Sequence, residues 1–122
     1  MLIVDDDARV RTGLAALLAD ADGLVVAGAC GNASQAVRLA AQLVPDVVLL
    51  DLLLPEAEDG LTLLRHLCGR GLAVVALSVR GGLRVPALHA GAAAFLEKGC
   101  EPDAIVAALR DSATVSTRPC RP

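Results

Sequence analysis

The residues best suited to chemistry in this chain are three aspartates, Asp5, Asp6 and Asp51, which lie at the ends of two short apolar runs. If the two runs are neighbouring strands, these carboxylates meet at one edge. Bringing two like charges to about 5 Å at an effective dielectric near 20 costs roughly 3 kcal/mol, so such a cluster needs a shared cation or a retained proton. A ligand set made only of oxygen suits Mg²⁺. The alternative is that Asp6 or Asp7 simply caps the helix that follows.

Two further residues make this acidic cluster a candidate site for phosphoryl transfer. Lys98 is the only lysine beside ten arginines, and it ends an apolar run where a phosphate or carboxylate partner is expected. Ser78 ends another apolar run with a hydroxyl. Together they suit phosphorylation of Asp51, which needs a carboxylate nucleophile, Mg²⁺ to neutralise the transferred oxygens, and a cation and a hydroxyl to hold them. Taken alone, Asp51 would be an ordinary solvated carboxylate.

The elements that must position these residues alternate five times between an apolar run and a helical pattern. The predicted strands are Leu2–Val4, Leu24–Ala27, Val47–Leu50, Ala73–Leu77 and Ala93–Leu96. The predicted helices are Ala8–Leu18, a segment capped by Ser34 that reaches Leu43, Leu61–Leu67, a short helix near Ala87, and Pro102–Arg110. Continuous apolar strands indicate a sheet covered on both faces, so we predict a doubly wound parallel α/β domain. Its ligands belong at the carboxyl ends of the strands.

Residues 79–91 predict a shortened helix. The glycines at 81 and 82 each disfavour helix by about 1 kcal/mol relative to alanine, so a loop is expected there. Pro86 suits the first position of a helix, which leaves Pro86–Ala90 as the helix and Leu88 as its contact with the sheet. A helix this short buries little area, so we expect a monomer or at most a weak homodimer.

Composition excludes several other kinds of protein. The net charge is −3 and aromatic residues make up 1% of the chain, which argues against nucleic-acid binding by this piece. No apolar run approaches the roughly 20 residues of a membrane span, so we expect a cytoplasmic domain that does not contact a membrane. The four cysteines have no CxxC spacing, which favours free thiols over zinc ligation.

Four stretches together give the chain a resemblance to a known family: LIVDDDARVRTGL, PDVVLLDLLLP followed by DGLTLL, VVALS, and AGAAAFLEKG. They resemble the receiver domains of response regulators from bacterial two-component systems, over residues 1–110. The resemblance implies a flavodoxin-like domain with five parallel strands in the order 2-1-3-4-5. The loop at 55–60 is one residue longer than is usual in that family.

The resemblance also implies roles for individual residues. Phosphorylation would fall on Asp51. Four groups would bind Mg²⁺: Asp5 (mostly through water), Asp6, Asp51 and the carbonyl of Leu53. Ser78 and Lys98 would contact the phosphoryl oxygens as catalytic groups, and Ser78 would form a conformational switch with Phe95.

The partners implied are a sensor histidine kinase and the protein's own C-terminal output domain. The stretches RTGLAALL and PDVVLLDL are closest to the class whose output domain is a helix-turn-helix that binds DNA, so the function implied is control of transcription. Residues 111–122 contain two prolines and no periodicity, and they are expected to begin an interdomain linker, with the output domain absent. Such a domain is a signalling module that catalyses only its own phosphorylation and dephosphorylation.

Two other functions are compatible with parts of this pattern. A pseudo-receiver would keep the fold and act as a binding module without phosphorylation. A haloacid-dehalogenase-type phosphatase also has a nucleophilic aspartate at a strand end, but it needs a second aspartate two residues later, where this chain has Leu53. The phosphatase is therefore excluded, and the pseudo-receiver stays as the alternative.

Overall fold

The computed structural model describes residues 1–21, 23–54 and 57–116. The strands are β1 (Leu2–Val4), β2 (Gly28–Cys30), β3 (Val47–Asp51), β4 (Ala73–Ser78) and β5 (Ala94–Glu97). The helices are α1 (Ala8–Ala19), α2 (Ala33–Leu43), α3 (Ala57–Gly69), α4 (Arg84–His89) and α5 (Pro102–Ser116), with a 3₁₀ turn at Gly81–Leu83. The strands form one parallel sheet in the order β2-β1-β3-β4-β5, which confirms the predicted fold class and strand order.

Helices cover both faces of this sheet, as the continuous apolar strands predicted. On one face α2, α3 and α4 pack against residues that include Val48, Leu50 and Val74. On the other face α1 and α5 contribute Leu18 and Leu109, both fully buried. The core is filled mainly by aliphatic side chains, and β3 at its centre is buried at every position.

Side-chain caps fix where two of the helices begin. The Asp7 carboxylate accepts a 2.9 Å hydrogen bond from the amide of Arg9 at the start of α1. The Asn32 side chain accepts one of 2.9 Å from the amide of Gln35 at the start of α2. The prediction that Ser34 caps this helix was wrong, because the capping side chain lies two residues earlier. A capping oxygen must reach the free amides of the first turn, and Asn32 is the residue that does.

The second strand was also predicted in the wrong place. It is Gly28–Cys30 rather than Leu24–Ala27, because the register with β1 pairs Leu2 with Gly28 and Val4 with Cys30. The more apolar stretch before it lies outside the strand, and Val25 in that stretch is 76% exposed. Pairing with a distant strand outweighed the local preference of the sequence.

The prediction for α4 as Pro86–Ala90 was wrong about its start, its length and its anchor. The helix has six residues, and helical structure begins with the 3₁₀ turn at Gly81 and continues without a loop. Pro86 is its third residue rather than its first. Leu83 and Ala87 are buried against the sheet, whereas Leu88 is 40% exposed.

Other boundaries differ by smaller amounts. Helix α3 begins at Ala57 rather than Leu61, and strand ends differ by one residue. Helix α5 runs to Ser116, so the predicted end at Arg110 was wrong and the first residues assigned to the linker are helical. Residues 117–122, and Pro55 and Glu56 of the unusual loop, lie outside the described residues. Within the described residues, no helix has the length and apolar character needed to span a bilayer.

Candidate functional site

The carboxyl edge of the sheet brings the predicted site residues to four neighbouring strand ends. Asp5 follows β1, Asp51 ends β3, Ser78 ends β4 and Lys98 follows β5. The parallel register makes them adjacent. Val4 pairs with Leu50, Asp51 pairs with Leu77, and Ser78 pairs with Glu97. This is the edge at which ligands bind in open α/β sheets.

Lys98 joins the two buried carboxylates of this edge. Its Nζ lies 2.9 Å from Oδ2 of Asp51 and 3.2 Å from Oδ2 of Asp5. Asp5 is 1% exposed and Asp51 is 4% exposed, while the Lys98 side chain is 24% exposed. A single ammonium therefore balances two carboxylates, and the cluster keeps a net negative charge.

Backbone amides bind the second carboxylate oxygen of both Asp5 and Asp51, the one that Lys98 does not contact. Oδ1 of Asp51 accepts a 3.1 Å hydrogen bond from the amide of Leu53, and Oδ1 of Asp5 accepts one of 2.9 Å from the amide of Asp7. Both carboxylates thus have fixed orientations before any ligand arrives. The bond observed at Leu53 is made by its amide, and the role of its carbonyl as a metal ligand stays a prediction.

The three aspartates meet the geometric requirement of a cation site. Asp5, Asp6 and Asp51 each offer a carboxylate oxygen, and these oxygens lie within 4.8 Å of one another. Asp6 is exposed while the other two are buried, so the cluster is open to solvent on the Asp6 side. Hard oxygen ligands with room for water are the environment that Mg²⁺ prefers, so these residues fit that ion.

Burial shapes the electrostatics of the pair. Burial raises the pKa of Asp51, despite the opposing hydrogen bonds from Lys98 and the Leu53 amide, and the nearby Asp5 charge adds to the rise. Burial alone would lower the pKa of Lys98, but the carboxylates of Asp51 and Asp5 together outweigh it and raise that pKa. The unpaired excess of negative charge is what a divalent cation would neutralise.

Ser78 and Phe95 lie on the same face of the sheet. Ser78 is fully buried, and its Oγ accepts a 3.0 Å hydrogen bond from the amide of Arg80. Its carbonyl accepts a 2.9 Å bond from the amide of Lys98, which ties the two strand ends together. Phe95 is 5% exposed and packs in the same core cluster as Ala76, its partner in the strand register. The ring therefore lies inside the core.

Arg11 and Gly31, which lie beside Asp5, were not among the predicted site residues. Nη1 of Arg11 donates a 2.6 Å hydrogen bond to the backbone carbonyl of Asp5, and the guanidinium lies against Gly31. Arg11 belongs to a stretch that carried the family resemblance, but nothing in its spacing indicated a contact with Asp5. The signal available was an arginine at the fourth position of the helix that follows the acidic pair, about one turn from its start.

Comparison with known proteins gives the same family from sequence and from structure. The profile of the response regulator receiver domain matches residues 1–110. The chain is 39% identical over 114 residues to the response regulator GacA of Pseudomonas viridiflava, covering 90% of this chain and 53% of that protein. It is 36% identical over 117 residues to the nitrate/nitrite response regulator protein NarL of Escherichia coli strain K12, covering 93% and 54%.

Among solved structures, the receiver domain of NtrX from Brucella abortus is similar to this chain. The TM-score is 0.81 with 30% identity, and the match covers 93% of this chain and 97% of that one. The chain spans about half the length of the curated relatives it matches. It therefore corresponds to one domain of those longer proteins.

Proposed function

Because this chain belongs to the response regulator receiver domain family of two-component signalling, we propose that it is a phosphoacceptor in which Asp51 receives a phosphoryl group from a sensor histidine kinase. The observation that carries this proposal is the Lys98 ammonium held between the buried carboxylates of Asp5 and Asp51, with Asp6 beside them. A structural ion pair needs only one carboxylate for each cation. Three carboxylates around one ammonium repel one another, and a bound cation would remove that repulsion.

Asp51 is the nucleophile in the proposed reaction. One of its carboxylate oxygens attacks the phosphorus of a phosphohistidine, the P–N bond breaks, and its electron pair leaves with the imidazole. The product is an acyl phosphate on Asp51. Burial keeps the attacking carboxylate poorly solvated, and the Leu53 amide keeps it oriented.

The metal ligands we propose are Asp5, Asp6, Asp51 and the backbone carbonyl of Leu53, with Asp5 acting mostly through water. Bound Mg²⁺ would supply positive charge against the oxygens of the transferring phosphoryl group. The amide bonds to Asp5 and Asp51 orient both carboxylates in advance, so little reorganisation is needed when the cation binds.

Lys98 and Ser78 are the groups we propose to hold the phosphoryl oxygens. Once Asp51 is phosphorylated it carries no carboxylate charge for Lys98, so the ammonium transfers its bond to a phosphoryl oxygen. The Ser78 hydroxyl accepts from the Arg80 amide, which leaves its own proton free to be donated to another phosphoryl oxygen after a rotation of the side chain. These contacts exist only in the phosphorylated state and so can shift a two-state equilibrium.

The conformational change we propose is a repacking of Phe95 rather than its burial. The ring is already inside the core, on the same face as Ser78. Movement of the Ser78 side chain would change the space available beside the ring. The change would then reach the surface formed by α4 and β5.

The output of the proposed switch is control of transcription by a C-terminal DNA-binding domain in the same, longer protein. The supporting observation is that the matched relatives are response regulators about twice as long as the matched region. A cytoplasmic location follows from such a role. If Asp51 cannot be modified, the chain is instead a pseudo-receiver that binds partners without phosphorylation.

Beryllofluoride, a non-covalent mimic of a phosphoryl group, gives a direct test. Amide NMR spectra of the full chain with Mg²⁺ and beryllofluoride should show saturable shifts at Asp51, Ser78, Phe95 and Lys98. The same addition in EDTA, or to Asp51→Asn, should produce none of them. If saturating Mg²⁺ and beryllofluoride leave the amide shifts near Asp51 unchanged, or shift them equally in Asp51→Asn, the assignment of Asp51 as phosphoacceptor is overturned.

A further inference from the structure

We propose that Arg11 is a positioning residue for the metal-binding carboxylates, a role that rests on the phosphoacceptor function proposed above. Arg11 lies on α1 and is half-buried. Its Nη1 donates a 2.6 Å hydrogen bond to the backbone carbonyl oxygen of Asp5. A guanidinium on the first helix thus reaches back to the residue where the acidic cluster begins.

This bond completes the fixation of Asp5. The Asp5 amide donates a 3.1 Å bond to the carbonyl of Cys30, and its two carboxylate oxygens accept from the Asp7 amide and from Lys98. With the Arg11 bond, every polar atom of Asp5 has a partner. An aspartate held at all four points cannot turn away from the edge when its charge is repelled by Asp51.

The same bond constrains Asp6. The carbonyl of Asp5 and the amide of Asp6 belong to one planar peptide unit, so a bond that fixes the carbonyl also fixes the direction in which the chain enters Asp6. Asp6 is exposed, and its carboxylate lies within 4.8 Å of those of Asp5 and Asp51. Arg11 therefore acts on the spacing of the ligands without contacting the ion.

Gly31 provides the space that Arg11 occupies. A Cβ added at Gly31 would lie 2.7 Å from Nη1 of Arg11 and 3.6 Å from the carbonyl oxygen of Asp5. The close contact is with the far end of a flexible side chain, and Gly31 has no positive φ, so alanine fits the backbone. Gly31→Ala should therefore leave the fold intact and push the guanidinium off the Asp5 carbonyl.

A positioning role and a purely electrostatic role of Arg11 predict opposite changes in Mg²⁺ affinity when the side chain is removed. If Arg11 acted mainly through its positive charge, it would repel Mg²⁺, and removing it would strengthen metal binding. If it acts by orienting the Asp5–Asp6 peptide, removing it weakens metal binding. The sign of the change separates the two effects.

The test measures the Mg²⁺ affinity of the full chain by amide NMR titration with MgCl₂, alongside urea unfolding in EDTA. Loss of a group that supports metal ligands typically weakens binding tenfold or more, so Arg11→Ala should weaken it about tenfold. Gly31→Ala should weaken it similarly, and the double variant no further. Arg11→Lys should recover part of the affinity, since an ammonium can also donate to the Asp5 carbonyl.

Arg9→Ala is the matched control, because it removes the same charge from an exposed position of the same helix. Its Mg²⁺ affinity should equal that of the wild type. Unchanged or tighter binding in Arg11→Ala, or additive losses in the double variant, would overturn the positioning role while leaving the proposed function intact. A wild-type chain with no saturable Mg²⁺ shifts would overturn both. If Arg11→Ala fails to fold, the Gly31→Ala affinity decides the question.

Discussion

Replacing Lys98 with methionine tests how the acidic edge is stabilised. The substitution keeps an unbranched side chain of similar length and removes the ammonium, which lies 2.9 Å from Asp51 and 3.2 Å from Asp5. Both carboxylates are at least 95% buried, and among the described residues Lys98 is the cationic side chain that pairs with them. Removing one partner of a buried ion pair typically costs 3–5 kcal/mol, and because the Lys98 side chain is 24% exposed we expect the lower end, about 3 kcal/mol.

The assay is urea unfolding followed by far-ultraviolet circular dichroism, since the chain has no tryptophan or tyrosine. In EDTA, Lys98→Met should lower the free energy of unfolding by about 3 kcal/mol. Saturating Mg²⁺ should reduce the difference in unfolding free energy between Lys98→Met and the wild type, because a cation that binds the folded state replaces the missing positive charge. The exposed Arg9→Met is the control for losing one positive charge, and it should change stability by less than about 0.5 kcal/mol.

A double variant refines the same test. In Asp51→Asn one of the two buried charges that Lys98 balances is already gone, so adding Lys98→Met should lower the free energy of unfolding by less than it does in the wild type. Two outcomes would refute the reasoning. One is a loss below about 1 kcal/mol for Lys98→Met in EDTA, the usual range of an exposed pair. The other is an equal loss in the wild-type and Asp51→Asn backgrounds.

Two further predictions concern residues away from the ion pair. Gly60→Ala should destabilise the chain by about 2–3 kcal/mol or prevent folding, because its Cβ would overlap the backbone of Leu52 next to Asp51. Gly13→Ala lies in open space on α1 and should instead stabilise the chain by about 1 kcal/mol. Urea unfolding that ranks the two variants the other way would contradict both predictions. Burial raises the pKa of the Cys68 thiol to about 11, so alkylation by iodoacetamide, followed by peptide mass spectrometry, should be slow at pH 8 and should accelerate about tenfold per pH unit as the thiolate forms. Fast, pH-independent modification of Cys68 would contradict that prediction.

Much of the fold followed from local patterns. Five apolar runs separated by helical patterns were enough to predict the doubly wound sheet, and the observed strand order confirms the family resemblance. The polar residues at the strand ends predicted the edge at which Asp5, Asp51 and Lys98 meet. That inference worked because parallel strands in one sheet bring their carboxyl ends to the same side.

The features that were mispredicted or missed depend on contacts between distant parts of the chain. The stretch Leu24–Ala27 is more apolar than Gly28–Cys30, yet the register with β1 selects the latter. The turn at Gly81 that precedes α4 lies against the side chain of Glu97 on β5, which a Cβ at that glycine would overlap. The bond from Arg11 to Asp5 depends on the path of the helix over the sheet edge, and no local pattern encodes it.

The measurement that tests the central claim most directly is the intact mass of the chain after incubation with acetyl phosphate and Mg²⁺. We expect the addition of one phosphoryl group to the wild type, none in EDTA, and none in Asp51→Asn. Asp111→Asn, which removes an exposed carboxylate from α5, should be modified like the wild type. Persistent labelling of Asp51→Asn, labelling that needs no metal, or an unmodified wild-type chain under saturating phosphodonor would contradict the assignment of Asp51 as a metal-dependent phosphoacceptor.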